Sequence, residues 1–118
     1  MLAEAGRNRL AQGKAAFNRG EYFQAHELWE EAWRELDGVE RTLVQGLIQI
    51  AAGLHHLQQQ RPRPAAELLR KGLLKLSRGV FSVPVDLHVD ALARGVGRLL
   101  ANLGTQGAEM PDVPVLEI

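Results

Sequence analysis

The chain has 118 residues, of which 14 are basic, 14 are acidic and none is cysteine. A domain of this size holds one modest core, and the balanced charge offers no positive excess to draw it to a nucleic acid. The missing thiols exclude disulfides, cysteine-based zinc sites and a cysteine nucleophile.

Residues 1–20 scatter Glu4, Arg7, Asn8, Arg9, Lys14 and Arg19 where a secretory signal needs an unbroken apolar run. No apolar stretch approaches the ~20 residues that span a membrane, so the chain reads as soluble and cytoplasmic. Leu2, Ala5, Leu10, Ala11 and Phe17 predict a first helix over about residues 3–18, stopped by Asn18-Arg19-Gly20, where Gly20 can turn left-handed. A second helix, about 21–36, sets Tyr22, Ala25, Leu28, Trp29, Ala32, Trp33 and Leu36 on one broad face before Asp37-Gly38 breaks it. The third and longest, about 39–60, carries Leu43, Leu47, Ile50, Leu54 and Leu57. Prolines at 62 and 64 predict a turn, and a fourth helix then runs over about 64–78 through Ala65, Leu68, Leu69, Leu73 and Leu76. After a loop from Ser77 to Pro84, Asp86 is the expected N-cap of a fifth helix over about 87–103, with Leu92, Val96, Leu99, Leu100 and Leu103 inward. The fold class is all-α: a compact bundle of about five antiparallel helices forming one domain over residues 1–104, with 105–118 an extended or frayed tail.

A shift of 40 residues pairs Leu10 with Ile50, Gly13 with Gly53, Phe17 with Leu57, Ala25 with Ala65, Glu27 with Glu67, Trp29 with Leu69 and Leu36 with Leu76. Helices one and two then form one hairpin, and helices three and four a second. The run Asn18-Arg19-Gly20-Glu21-Tyr22-Phe23-Gln24-Ala25 also echoes the turn of a tetratricopeptide repeat. Two units are too few for a solenoid, so a compact bundle is the preferred reading.

Chemistry concentrates in His26-Glu27-Leu28-Trp29-Glu30-Glu31-Ala32-Trp33. His26 and Glu30 lie one turn apart and can project to one point, a workable half of a metal site whose remainder His55 and His56 could supply. The zincin pattern is absent, as are the Glu-x-x-His pairs of di-iron bundles. The preferred reading is a half-buried histidine bonded to a carboxylate that fixes the crossing of helices two and three. A metal at His26, Glu30 and His55, or a small-molecule pocket, stands as the alternative. No cofactor is expected. Glu27 falls opposite its helix's apolar face, and Gln45, Gln49 and His56 form a polar stripe on the third. Left uncovered these residues are solvated; under another helix they form a polar seam. Gly46 and Gly53, seven apart, predict the close approach of another backbone. Arg41, at a helix start that disfavours it, is a partner for Glu30 or Glu31 or a solvated arginine. Trp29, Trp33 and Tyr22 are expected in the core. The few serines and threonines stand far from any His-carboxylate pair, so nucleophilic catalysis has no sequence support.

The motif Asn18-x-Gly20-x-Tyr22-Phe23-x-Ala25-His26-Glu27-x-x-Glu30-x-x-Trp33, followed by Arg41, Gln45-Gly46 and His55, resembles domain-of-unknown-function family 309 over about residues 10–80. The resemblance implies a bundle of about five helices with no established activity. It places the family pattern on His26, Glu27, Glu30, Trp33, Arg41, Gln45 and His55, and moves Glu27 and Gln45 toward a shared, partly buried polar site. The chain departs from the family where Gly-Asn often follows the third helix, having Gln60-Arg61-Pro62-Arg63-Pro64 instead, and in its tail. Three functions follow: a non-catalytic structural or interaction module that self-associates; a small-molecule or metal site, or an enzyme, built on His26, Glu27, Glu30, Gln45 and His55; and a peptide-binding array like a short tetratricopeptide protein. Nucleic acid and membrane are not expected partners.

Overall fold

The computed structural model describes residues 4–77 and 88–105. These form five helices and, among the described residues, no strand: α1 (Glu4–Asn18), α2 (Tyr22–Trp33), α3 (Gly38–Gln58), α4 (Pro62–Leu76) and α5 (Val89–Thr105). Each helix packs chiefly on its neighbour in sequence, with α3 on α4 and α1 on α2 the closest pairs. The Asp86 cap, most of the loop before it and the tail lie outside the described residues. No helix among them is long and apolar enough to cross a membrane.

Two boundaries differ from those read from sequence. Pro62 and Pro64 do not delay α4; they open it. The first turn of a helix has amides with no helical acceptor, so prolines cost little there. At the other end of the first hairpin, α2 stops at Trp33 and its chain tightens into i to i+3 bonds, Glu35 N–H to Ala32 O and Leu36 N–H to Trp33 O, both 3.1 Å. That tightening turns Leu36 into the core and frees its carbonyl for another donor.

The shift of 40 reappears as geometry. The Glu21 amide donates to Ala16 O and the Arg61 amide to His56 O, both at 2.9 Å. Gly20 and Gln60, the residues just before them, both have positive φ, 79° and 60°. These are the same helix-ending turn made twice. The hairpins also seat a large side chain on a glycine in matching positions. Gly13 lies under the Trp29 indole, where an added Cβ would be 2.3 Å from Nε1; Gly53 lies under Leu69, where it would be 2.9 Å from Cγ. The Trp29 Nε1–H donates to Leu10 O at 3.1 Å, locking α2 onto α1.

One core runs through all five helices, from Leu10, Phe17 and Trp29 through Leu43, Leu47, Ile50 and Leu54 to Leu69, Leu92 and Val96. Gly46 and Gly53 both face α4, and a third glycine, Gly72, faces back at Gly46 and Ile50. The stripe of small residues therefore works from both sides, which brings the α3 and α4 backbones close enough for Leu69 and Leu76 to bury. Gln58 Nε2 donates to Gly20 O at 3.0 Å, tying the end of α3 to the turn of the first hairpin.

Candidate functional site

The seven residues singled out in the sequence do not meet at one point. Arg41 and His55 stand on α3 at positions 41 and 55, roughly 21 Å apart along the helix at 1.5 Å per residue. α2 runs beside α3, so its polar residues are divided in the same way: Trp33 stands with Arg41, and His26 with His55.

At the first group, the Arg41 guanidinium lies over the Trp33 ring, 3.8 Å from its centroid, and Nη1 donates to Leu36 O at 3.1 Å. The carbonyl is the one released where α2 ends. Arg41 is thus neither a partner of Glu30 or Glu31 nor simply solvated. Glu31 instead pairs with Arg9 of α1 at 2.6 Å. Trp33, expected in the core beside Trp29, is half-buried; Trp29 is fully enclosed. The difference lies in what covers them, since Trp29 has α1 behind it and Trp33 has an arginine. Gln45, one turn beyond Arg41, is half-buried.

At the second group, His26 Nε2 stands 3.6 Å from Glu30 Oε1, the one-turn pairing that the spacing predicts. The ring of Phe23 stacks near His26, with centroids 6.1 Å apart, and leans on His55 across the α2–α3 interface at 5.2 Å. His56 adjoins His55, with ring centroids 6.3 Å apart. Phe23, His26, Ala52, His55 and His56 line a pocket of about 170 Å³. The Nδ1 atoms of His26 and His56 are buried and have no hydrogen-bond partner among the described residues. Burial pushes the His55 pKa below that of an ordinary imidazole, and the positive charges of His56, Arg61 and His26 add to the effect.

Glu27 is exposed and does not line this pocket; nor does Gln45. Among the described residues no three His, Cys, Asp or Glu side chains form a group able to hold a metal ion, so His26, Glu30 and His55 are not arranged as a ligand set. Sequence reasoning missed Phe23 and Ala52 and gave His56 only a supporting place. The available signal was Phe23 itself, a large aromatic off the apolar face of its helix, one turn from His26. A second and wider cleft, about 600 Å³, opens between α4 and α5 and is lined by Arg63, Ala66, Glu67, Arg70, Leu100 and Leu103 with Pro62.

Comparison with known proteins gives a family and a relative. A family model described as "Domain of unknown function (DUF309)" matches residues 10–68, which takes in both helical turns at Gly20 and Gln60 and all seven polar residues. An "Uncharacterized protein" of Aquifex aeolicus (strain VF5) is 30% identical over 69 residues, 58% of this chain and 21% of that protein. The aligned stretch therefore spans about a fifth of the relative's length.

Proposed function

Because the chain belongs to the family described as domain of unknown function (DUF309), we propose that it is a non-catalytic helical module of the cytoplasm whose polar residues hold two like hairpins in a fixed crossing. The observation that carries this reading is the Arg41 clasp. One arginine joins the carbonyl at the end of α2 to an indole on α2 from the first turn of α3. It satisfies a backbone acceptor and covers an aromatic face, two structural tasks. The separation of the polar residues along α3 supports the same reading. A catalytic acid, base or nucleophile must work within hydrogen-bond reach of its partner, and Arg41 and His55 stand roughly 21 Å apart along α3.

Thermal denaturation of single variants tests it. Arg41→Ala removes a charge-assisted bond and a cation–π contact and should cost about 1–3 kcal/mol. Glu27→Ala, on the exposed face, should stay within about 0.5 kcal/mol of the parent. An Arg41→Ala protein that melts with the parent, or a Glu27→Ala protein that falls as far as Arg41→Ala, overturns the reading.

A further inference from the structure

We propose that the pocket between α2 and α3 is a binding site for a small monocarboxylate, held by the imidazoles of His26, His55 and His56. This goes beyond the structural role argued above and stands on different residues.

Size comes first. About 170 Å³ is close to the ~150 Å³ cavity that holds one benzene and well short of the ~300–1,000 Å³ of sites for larger ligands. The walls are four rings and a methyl: Phe23, the three imidazoles and Ala52. Such a space suits a short apolar body with a single polar head. Phe23 remains 54% exposed, an aromatic surface available to the apolar body.

The polar head accepts hydrogen bonds from protonated rings, since a His26 whose Nε2–H faces Glu30 carries a proton on Nδ1 only as imidazolium. His26 Nδ1 and His56 Nδ1 are both buried without a partner among the described residues, and a buried polar atom left so is costly. Neither atom is open to solvent as the rings stand, so a ligand's acceptor completes them when the rings turn Nδ1–H toward the pocket.

Charge selects an anion among acceptors. α2 contributes His26 and Glu30, α3 contributes His55 and His56, and the α3–α4 turn contributes Arg61. One half-exposed carboxylate thus faces three protonatable rings and a permanent guanidinium. Burial lowers the His55 pKa most, and the positive charges of His56, Arg61 and His26 lower it further, which is the part that reports this field. A carboxylate in the pocket favours the protonated rings, so binding takes up protons and weakens as the rings lose them. A cation is repelled by the same field, and a neutral guest gains only the apolar walls.

The repeat shows that the histidines are not required by the fold. Forty residues beyond Phe23 and His26 stand Arg63 and Ala66, and both line the corresponding cleft between α4 and α5. Each hairpin makes a cleft against the helix that follows it. Among the described residues the imidazoles furnish the first cleft and not the second.

Imidazole proton–nitrogen NMR spectra of the full chain, titrated with butyrate, butanol and butylamine at about pH 6 and about pH 8, test the proposal. Butyrate should shift His26, His55 and His56 together and saturably at the lower pH while leaving the exposed His88 in place. Its affinity should fall about tenfold or more at the higher pH. Glu30→Gln removes the carboxylate that competes for His26 and should tighten butyrate about two- to fivefold. Ala52→Leu fills the pocket and should abolish the shifts while keeping a cooperative melt. Equal shifts at all four histidines, no shift at any, or equal binding of butylamine or butanol overturns the proposal, as does undiminished binding to a folded Ala52→Leu protein. Should Ala52→Leu fail to fold, the pH dependence and Glu30→Gln decide by themselves.

Discussion

Replacing Gly72 with alanine probes how closely the two helices of the second hairpin, α3 and α4, approach. A Cβ placed there lies 2.6 Å from Ile50 Cγ1, 2.7 Å from Gly46 O and 3.2 Å from Ile50 N. Two of these three are backbone atoms of α3, so turning a side chain does not clear the space; the helices must separate. Alanine gains about 1 kcal/mol in helix propensity, while overpacking costs roughly 1–3 kcal/mol and occasionally more. Backbone obstacles put this site at or above the top of that range, for a net loss of about 2 kcal/mol. For a domain of this size each kcal/mol moves the melting temperature by about 3–6 °C, so a fall of about 6–12 °C is expected. Gly97→Ala supplies the control. Nothing described lies within 4 Å of its added Cβ, so propensity acts alone and stability should rise by about 0.5–1 kcal/mol. Urea denaturation followed by circular dichroism measures both. A Gly72→Ala protein as stable as the parent, alongside a stabilised Gly97→Ala, would mean that α3 and α4 do not cross at Gly46 and Gly72.

Three further outcomes follow from particular contacts. Gly13→Ala forces the Trp29 indole from its seat and Trp29→Leu leaves a void. Together they should destabilise by at least about 0.5 kcal/mol less than the sum of the two, as residues sharing one space do, measured by denaturant titration. Gln60 occupies the left-handed region at φ 60°, so Gln60→Gly should raise stability by about 0.5–1 kcal/mol in the same assay. The depressed His55 pKa means that the unfolded chain binds the proton more readily below about pH 6.5. Stability due to this residue is therefore whole above that value and is lost as pH falls toward the folded pKa. His55→Asn should flatten that part of the melting-temperature profile, and an unchanged slope counts against the burial of the ring.

Much of the architecture could be read from residue spacing because it depends on periodic burial. The five helices, the left-handed Gly20 and the close approach at Gly46 and Gly53 are all local or periodic signals. The shift of 40 also carried more than composition, since it paired Gly13 with Gly53 and Trp29 with Leu69, the same contact in each hairpin. Gln60 falls where the resembling family often has glycine, and its positive φ explains why glycine suits that position. What spacing did not reveal depends on the partner across an interface. Whether Trp33 is covered by a helix or by an arginine is set by where α2 ends, and that turned on the tightened turn at Leu36. The polar residues were grouped from their likeness to a family pattern, which carries no distances. The length of α3 divides them. Phe23 and Ala52 joined the pocket only because α2 crosses α3 there.

The claim that the polar residues form two independent groups is tested most directly by paired double-mutant cycles in urea denaturation, one on Trp33→Leu with Arg41→Ala and one on Arg41→Ala with His55→Asn. The account expects a coupling of about 0.5–2 kcal/mol in the first cycle. In the second it expects additivity within about 0.3–0.5 kcal/mol, as for residues that share no partner. Additivity in the first cycle, or a coupling in the second as large as that between Trp33 and Arg41, would contradict it.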